Sequence, residues 1–122
     1  MESEFKTKHS LEERKKRFQE IRESFPSKIP IVCEKSKRSK IKPLEKTNFL
    51  VDYDFPVSNF VSLIKSRLKM TETEGLFFFL NKDNKKQISL RISEQPMSEL
   101  YNEFKDEDGF LYIFFDKEQV WG

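Results

Sequence analysis

Apolar residues recur along the chain at two periods, and the period changes at proline and at charged turns. From residue 10 to 25, Leu11, Phe18, Ile21 and Phe25 fall on one stripe at helical spacing. Glu12, Glu13, Arg14, Lys15, Lys16 and Arg17 are read as covering the rest of that helix. Ser10 is placed to cap it, Glu13 three positions on completes a capping box, and Pro26 ends it. A shorter amphipathic segment carrying Phe5 precedes it. At Lys28 to Lys35 the period drops to two: Ile29, Ile31 and Cys33 point one way, Pro30 and Val32 the other. Both sides of this predicted strand are apolar, so its second face needs a cover, and the preceding helix is the nearest candidate. Pro30 cannot donate to a ladder and must sit where its missing N–H does no harm.

After a basic connector, 36–46, a second strand is predicted at about 48–53. Phe49, Val51 and Tyr53 share one face, and Asn48, Leu50 and Asp52 the other. Pro56 then opens a helix at its first position, with Val57, Phe60, Val61, Ile64 and Leu68 as its apolar stripe. Lys65, Arg67 and Lys69 complement the negative end of that helix's dipole. Leu76 to Leu80 read as a buried strand, residues 82–86 as a turn, and Ile88, Leu90 and Ile92 as a half-buried strand facing protein. Together, 81–93 are expected to protrude as a hairpin. Pro96 opens a short helix bearing Met97, Leu100, Tyr101 and Phe104. A turn at 106–109 leads to Phe110–Phe115, apolar on both faces and therefore a central strand; a tail from Asp116 follows. Without the N-terminal helix the order is β-β-α-β-β-α-β. That order fits an α+β β-grasp, although other small α+β folds share it.

Composition narrows the function. One domain suffices for 122 residues, and thirteen phenylalanines supply large apolar surfaces for a core in a chain that is only 36% apolar. The net charge of +2 conceals an asymmetry: residues 1–70 carry 17 Lys/Arg against 10 Asp/Glu, and residues 71–122 carry 6 against 11. One end is therefore suited to attract anions such as acidic peptides or acidic lipid headgroups. No apolar run approaches the length of a membrane span, and Met1-Glu2-Ser3-Glu4 lacks the apolar stretch of a signal peptide. Glu2 stands where N-myristoylation needs glycine. A cytoplasmic location is the default expectation, with any membrane attachment supplied from elsewhere.

Two chemical readings compete and both are weak. Cys33 and His9 are the only cysteine and histidine, but Cys33 alternates in phase with Ile29 and Ile31 as a small buried hydrophobe would. The ligand count excludes a structural zinc site, and three scattered glycines build no phosphate loop, so no catalytic residue, metal or cofactor is assigned. Lys35, Lys37, Arg38, Lys40, Lys42 and Lys46 form a basic run. It lacks interleaved aromatics or an RNA-motif signature, and nucleic acid is not the expected partner.

Several stretches resemble one family closely. They are Glu12 to Arg14, Ile21-Arg22, Phe25-Pro26, Lys28 to Lys35, Phe49-Leu50-Val51, Phe60, Arg67, Phe77-Phe78-Phe79, Leu100-Tyr101 and Lys105 to Tyr112, ending with Trp121-Gly122. In order and spacing these resemble the autophagy-related protein 8 family of ubiquitin-like modifiers, of the light chain 3 and GABA-receptor-associated protein type. The resemblance implies a helical extension (1–26), a ubiquitin-like β-grasp domain (27–116) with two added N-terminal helices, and a flexible C-terminal tail (117–122). It implies a monomer whose Gly122 is exposed by a processing cysteine protease. E1-like and E2-like enzymes would then join that glycine to phosphatidylethanolamine on autophagosomal membranes. It also implies a groove for aromatic-x-x-aliphatic peptides of cargo receptors and adaptors. The first pocket maps onto Ile21, Pro30, Val32, Asn48, Leu50 and Phe110; the second onto Phe49, Val51, Asp52, Phe55, Phe60 and Leu63. Arg17, Lys28, Lys46 and Arg67 would meet acidic peptide residues. The chain departs from the family at Arg17, where an acidic residue is common, at Asn48 for Lys, at Asp52 for Pro, and in extra positions within 82–95.

Overall fold

In a computed structural model, which describes residues 2–71, 73–82 and 86–117, both periods become elements. The order is α1 (Glu4–Lys8), α2 (Leu11–Ser24), β1 (Lys28–Lys35), β2 (Asn48–Asp52), α3 (Val57–Arg67), β3 (Leu76–Lys82), β4 (Lys86–Ser89), α4 (Met97–Phe104) and β5 (Leu111–Lys117). The strands form one mixed sheet in the order β2-β1-β5-β3-β4, with β1 and β5 parallel and the other neighbours antiparallel. β5, apolar on both faces, takes the central place. This is the ubiquitin-like β-grasp with two N-terminal helices.

The alternation of β1 divides the core in two. Ile29, Ile31 and Cys33 join Leu111, Ile113 and Phe115 of β5 beneath α3 and α4. Val32 turns the other way, into Phe5 of α1, Phe18 and Ile21 of α2, and Phe110, Tyr112 and Phe114. The N-terminal helices are thus the cover that an apolar second face required. Ser10 caps α2 as predicted, its hydroxyl accepting from Glu13 N.

Pro56 and Pro96 act as the N-caps of α3 and α4 rather than as first helical residues. Neither has a side-chain acceptor, so the first-turn N–H groups need carbonyls from elsewhere. Val57 N and Ser58 N donate to the carbonyls of Gln95 and Ser93, while Met97 N and Ser98 N donate to those of Phe55 and Tyr53. Each helix start is sealed by the segment leading into the other. This explains why the predicted strand through Ile92 stops at Ser89. Leu90 N still reaches Phe78 O at 2.8 Å, but residues 93–95 are drawn to α3, and Ile92 is left 57% exposed. The antiparallel β3–β4 pair does form; residues 83–85 of its expected turn lie outside the described residues. Asp116 and Lys117, read as tail, continue β5 because Phe77 and Leu76 stand opposite them in β3.

The turn before β5 depends on one glycine. Gly109 has φ +97°, and an added Cβ would drive into the ring of Phe18 on α2. Its N–H donates to Asp106 O, and its own carbonyl accepts from the Tyr101 hydroxyl at 2.7 Å. Gly109→Ala should destabilise the fold by about 2–3 kcal/mol, combining left-handed strain with displacement of Phe18. Urea unfolding measures this directly, and a change below about 0.5 kcal/mol would show that α2 yields freely.

Candidate functional site

β2 is an edge strand, and its hydrogen-bond register determines which groups face outward. Cys33 N donates to Thr47 O at 2.7 Å, one step beyond the pairs Ile31–Phe49 and Ile29–Val51. Hydrogen-bonded pairs alternate along an antiparallel ladder, so Phe49 and Val51 direct their backbone groups to β1. Asn48 and Leu50 therefore turn their N–H and C=O to the open edge. Pro30 stands opposite Leu50. Its nitrogen faces away from β2, toward a side where β5 begins only opposite Ile31, so no rung is lost.

Beside that edge lies a cleft of about 320 Å³ bounded by Arg17, Glu20, Ile21, Ser24, Phe25, Asn48 and Phe110. Ile21, Asn48 and Phe110 of the first expected pocket line it, and Leu50, 40% exposed, follows next but one along β2. Pro30 is buried and Val32 has no exposed surface, so the latter supports the site from within the core rather than lining it. Phe25, 47% exposed, also borders the cleft, although the sequence reading places it on the α2 stripe and in a family-like stretch without assigning it to a pocket. It ends that stripe beyond the last residue with a partner in the core, which was the available signal.

The second group gathers on the α3 side. Phe49 meets Phe60 edge to face at 5.8 Å, and Phe55 and Leu63 pack half-buried against the same core. Phe60, at 0% exposure, and Val51, at 6%, belong to the core, because both lie on the inward stripe of their elements. They are corrected from pocket walls to core residues packed beneath Phe49, Phe55 and Leu63. Asp52 is exposed and its carboxylate is held by Lys28 Nζ at 2.6 Å, so two residues expected to serve a ligand serve each other. Arg17 lies on the rim, with its guanidinium 5.9 Å from the Phe5 ring centroid. Lys46 and Arg67 are exposed and carry no ion pair among the described residues.

Arg14 is the residue the periodicity misplaced. It is buried on the inward face of α2, three residues after Leu11 and four before Phe18. Its guanidinium donates to Asp108 at 2.6 Å; Asp108 also accepts from the Tyr112 hydroxyl at 2.6 Å and Phe110 N at 2.8 Å. Burial opposes the charge on Arg14, yet its hydrogen bond to Asp108 and the nearby Tyr112 oxygen prevail and raise its pKa. Burial, reinforced by Asp108, pushes the Tyr112 phenol far above its usual range, so it remains a donor. This network fixes α2 over Phe110 and thereby sets the wall of the cleft. A larger cavity of about 600 Å³ beside α1 includes Lys6, Arg14, Asp106 and Tyr112, with Lys6 and Asp106 paired at 2.5 Å.

Cys33 and His9 are not brought together. Cys33 is buried in the α3-side core, where desolvation and the charge of Glu34 push its thiol well up. His9 packs with its ring tilted against that of Phe5, centroids 4.9 Å apart, and faces Glu13. The basic connector is folded down: Leu44 is buried, Lys35 Nζ donates to the carbonyls of Ser36 and Ser39, and Lys37 pairs with Glu2. Gly122 lies outside the described residues.

Comparison with known proteins gives concordant findings. The family described as autophagy protein Atg8, ubiquitin-like, matches residues 13–122. Autophagy-related protein 8 of Mycosarcoma maydis is 38% identical over 122 residues, covering 100% of this chain and 98% of that protein. The Schizosaccharomyces pombe protein of the same name is 38% identical, with 100% and 96% covered. A crystal structure of Trypanosoma brucei ATG8 superposes with a TM-score of 0.85 at 34% identity, covering all of both chains.

Proposed function

The chain belongs to the Atg8 family of ubiquitin-like autophagy proteins, and from that premise we propose that it is a conjugated modifier, not an enzyme, that captures aromatic-x-x-aliphatic peptides along β2. The observation that carries the peptide reading is an open strand edge with a cleft lined by Ile21, Phe25 and Phe110 among polar residues on one side and a half-buried apolar patch on the other. A peptide laid along that edge gains backbone hydrogen bonds from Asn48 and Leu50 and specificity from its side chains. Residues three apart in an extended strand point to opposite faces, about 10 Å apart along the chain. An aromatic and an aliphatic residue so spaced enter the two sites separately. The aromatic ring fills the cleft by Ile21, Asn48 and Phe110, and the aliphatic side chain meets Phe49, Phe55 and Leu63. With the cleft nearer the start of β2, the peptide runs in the same direction as that strand. Arg17, on the cleft's rim, and Lys46, just ahead of β2, stand at the end where it enters.

Conjugation completes the function. Separate E1-like and E2-like enzymes carry Gly122 to phosphatidylethanolamine, after processing by a cysteine protease where residues follow it. A monomeric cytoplasmic domain then becomes an autophagosomal membrane protein that displays its groove to cargo receptors and adaptors.

Leu50→Ala tests the groove, since Leu50 is exposed enough to be shortened without opening the core. Its affinity for an acidic aromatic-x-x-aliphatic peptide should fall by about 1–3 kcal/mol in calorimetry, as for a pocket anchor. Unchanged affinity with the fold intact would remove Leu50 from the site.

A further inference from the structure

The basic run 35–42 has no part in the peptide groove, and it is held at the end of the sheet where the tail departs. β1 and β5 run parallel with Lys35 opposite Phe115, so both finish at that end. Ser36, buried, donates its N–H to Phe115 O at 2.8 Å, two residues before Lys117. The run is pinned there: Ser39 N donates to Ser36 O, Ile41 N to Ser39 Oγ, and Leu44 is buried. Five cations lie in 35–42 with no carboxylate between them. The neighbouring carboxylates are too few to cancel them. Matched one for one, buried Glu34 offsets Lys35, Glu2 pairs with Lys37 at 3.1 Å, Glu45 offsets Lys46 and Asp116 offsets Lys117. Arg38, Lys40 and Lys42 remain, all exposed and in no ion pair among the described residues. Against them stands Glu74, bonded to Thr71 N, so this end is net positive.

We propose that Arg38, Lys40 and Lys42 form a contact surface for anionic lipid headgroups, brought to the bilayer by the tail that leaves beside them. Their position at a membrane rests on the conjugation reading; their affinity for anionic lipid does not. The five residues beyond Lys117 extend at most about 18 Å, so a lipid-joined Gly122 keeps this end of the sheet within that reach of the bilayer. A bilayer surface is read by charge alone, and each Lys or Arg close to an anionic one strengthens binding about fivefold. Nucleic acid fits this run less well, because no aromatic residue stands in 35–48 to stack on a base.

The test is flotation of the full, unconjugated chain with vesicles at low salt and without enzymes. Vesicles of phosphatidylcholine and phosphatidylserine in equal parts should bind it at least about tenfold more tightly than phosphatidylcholine alone. The difference should vanish near 1 M salt, where the screening length is about 3 Å. Lys40→Glu with Lys42→Glu should weaken binding at least about twenty-five-fold, at about fivefold for each cation lost. Lys15→Glu with Lys16→Glu, the same charge change on α2, should weaken it less than about threefold, since screening limits charges away from the surface. All four lysines are exposed, so neither variant opens the core. Equal binding to the two kinds of vesicle, or equal losses from the two variants, overturns the assignment and leaves conjugation through Gly122 standing. Single-stranded RNA that strips the chain from anionic vesicles at far below their own charge concentration overturns it in favour of nucleic acid. Vesicle binding that persists where Gly122 fails to conjugate upholds the lipid surface and refutes the conjugation reading alone.

Discussion

Arg14→Met should lower folding stability by about 3–5 kcal/mol, the range for removing one member of a buried ion pair. The Arg14 side chain is 10% exposed and that of Asp108 is 0%. Methionine keeps much of the stem's packing, so most of the loss reports the Asp108 carboxylate left buried with only the Tyr112 hydroxyl and Phe110 N–H as donors. A surface pair of the same separation would be worth only about 0–1 kcal/mol, and that difference makes the experiment decisive. Urea titration should show a lower midpoint with an unchanged slope. Pairing the change with Asp108→Asn should recover part of the loss, because no uncompensated charge remains and coupled neighbours are not additive. A loss under about 1 kcal/mol for Arg14→Met would mean that water reaches Asp108. Because the same carboxylate orders Phe110, the variant should also loosen the aromatic cleft.

Arg14 also shows where local pattern stops being informative. Its spacing from Leu11 and Phe18 puts it on the inward stripe, but a cation is normally assigned outward unless a partner is known. That partner, Asp108, lies 94 residues away, and only tertiary folding brings it near. Strands with strict alternation were readable because period two leaves little freedom: β1 divided as expected, with Ile31 and Cys33 in one core and Val32 in the other. Ile92 was misread for the opposite reason. Its alternation continues past the point where the N–H groups of α3 claim the chain's carbonyls. Phe60 lies on the inward stripe of α3, and that stripe alone pointed to the core. Its mapping to a pocket wall came from the family resemblance. The Lys28–Asp52 pair was invisible because a long connector, not a tight turn, joins β1 to β2 and leaves their register unspecified.

Loss of Gly122 should reduce conjugation to nothing. A terminal glycine presents a carboxylate with no side chain to obstruct an adenylating enzyme, then a thiol, then an amine. The five residues beyond Lys117 can extend at most about 18 Å, enough to carry that carboxylate away from β5. Joined to a diacyl lipid, the domain gains two chains, where one alone binds membranes only weakly. The decisive measurement is reconstitution of the chain with Atg8-type activating and conjugating enzymes on liposomes containing phosphatidylethanolamine. The chain ending at Gly122 should become lipid-linked and float with the vesicles, while the chain ending at Trp121 stays free at every enzyme concentration. Lipid linkage of the shortened chain, or none of the chain ending at Gly122 under conditions that conjugate a fungal relative, would contradict conjugation through Gly122.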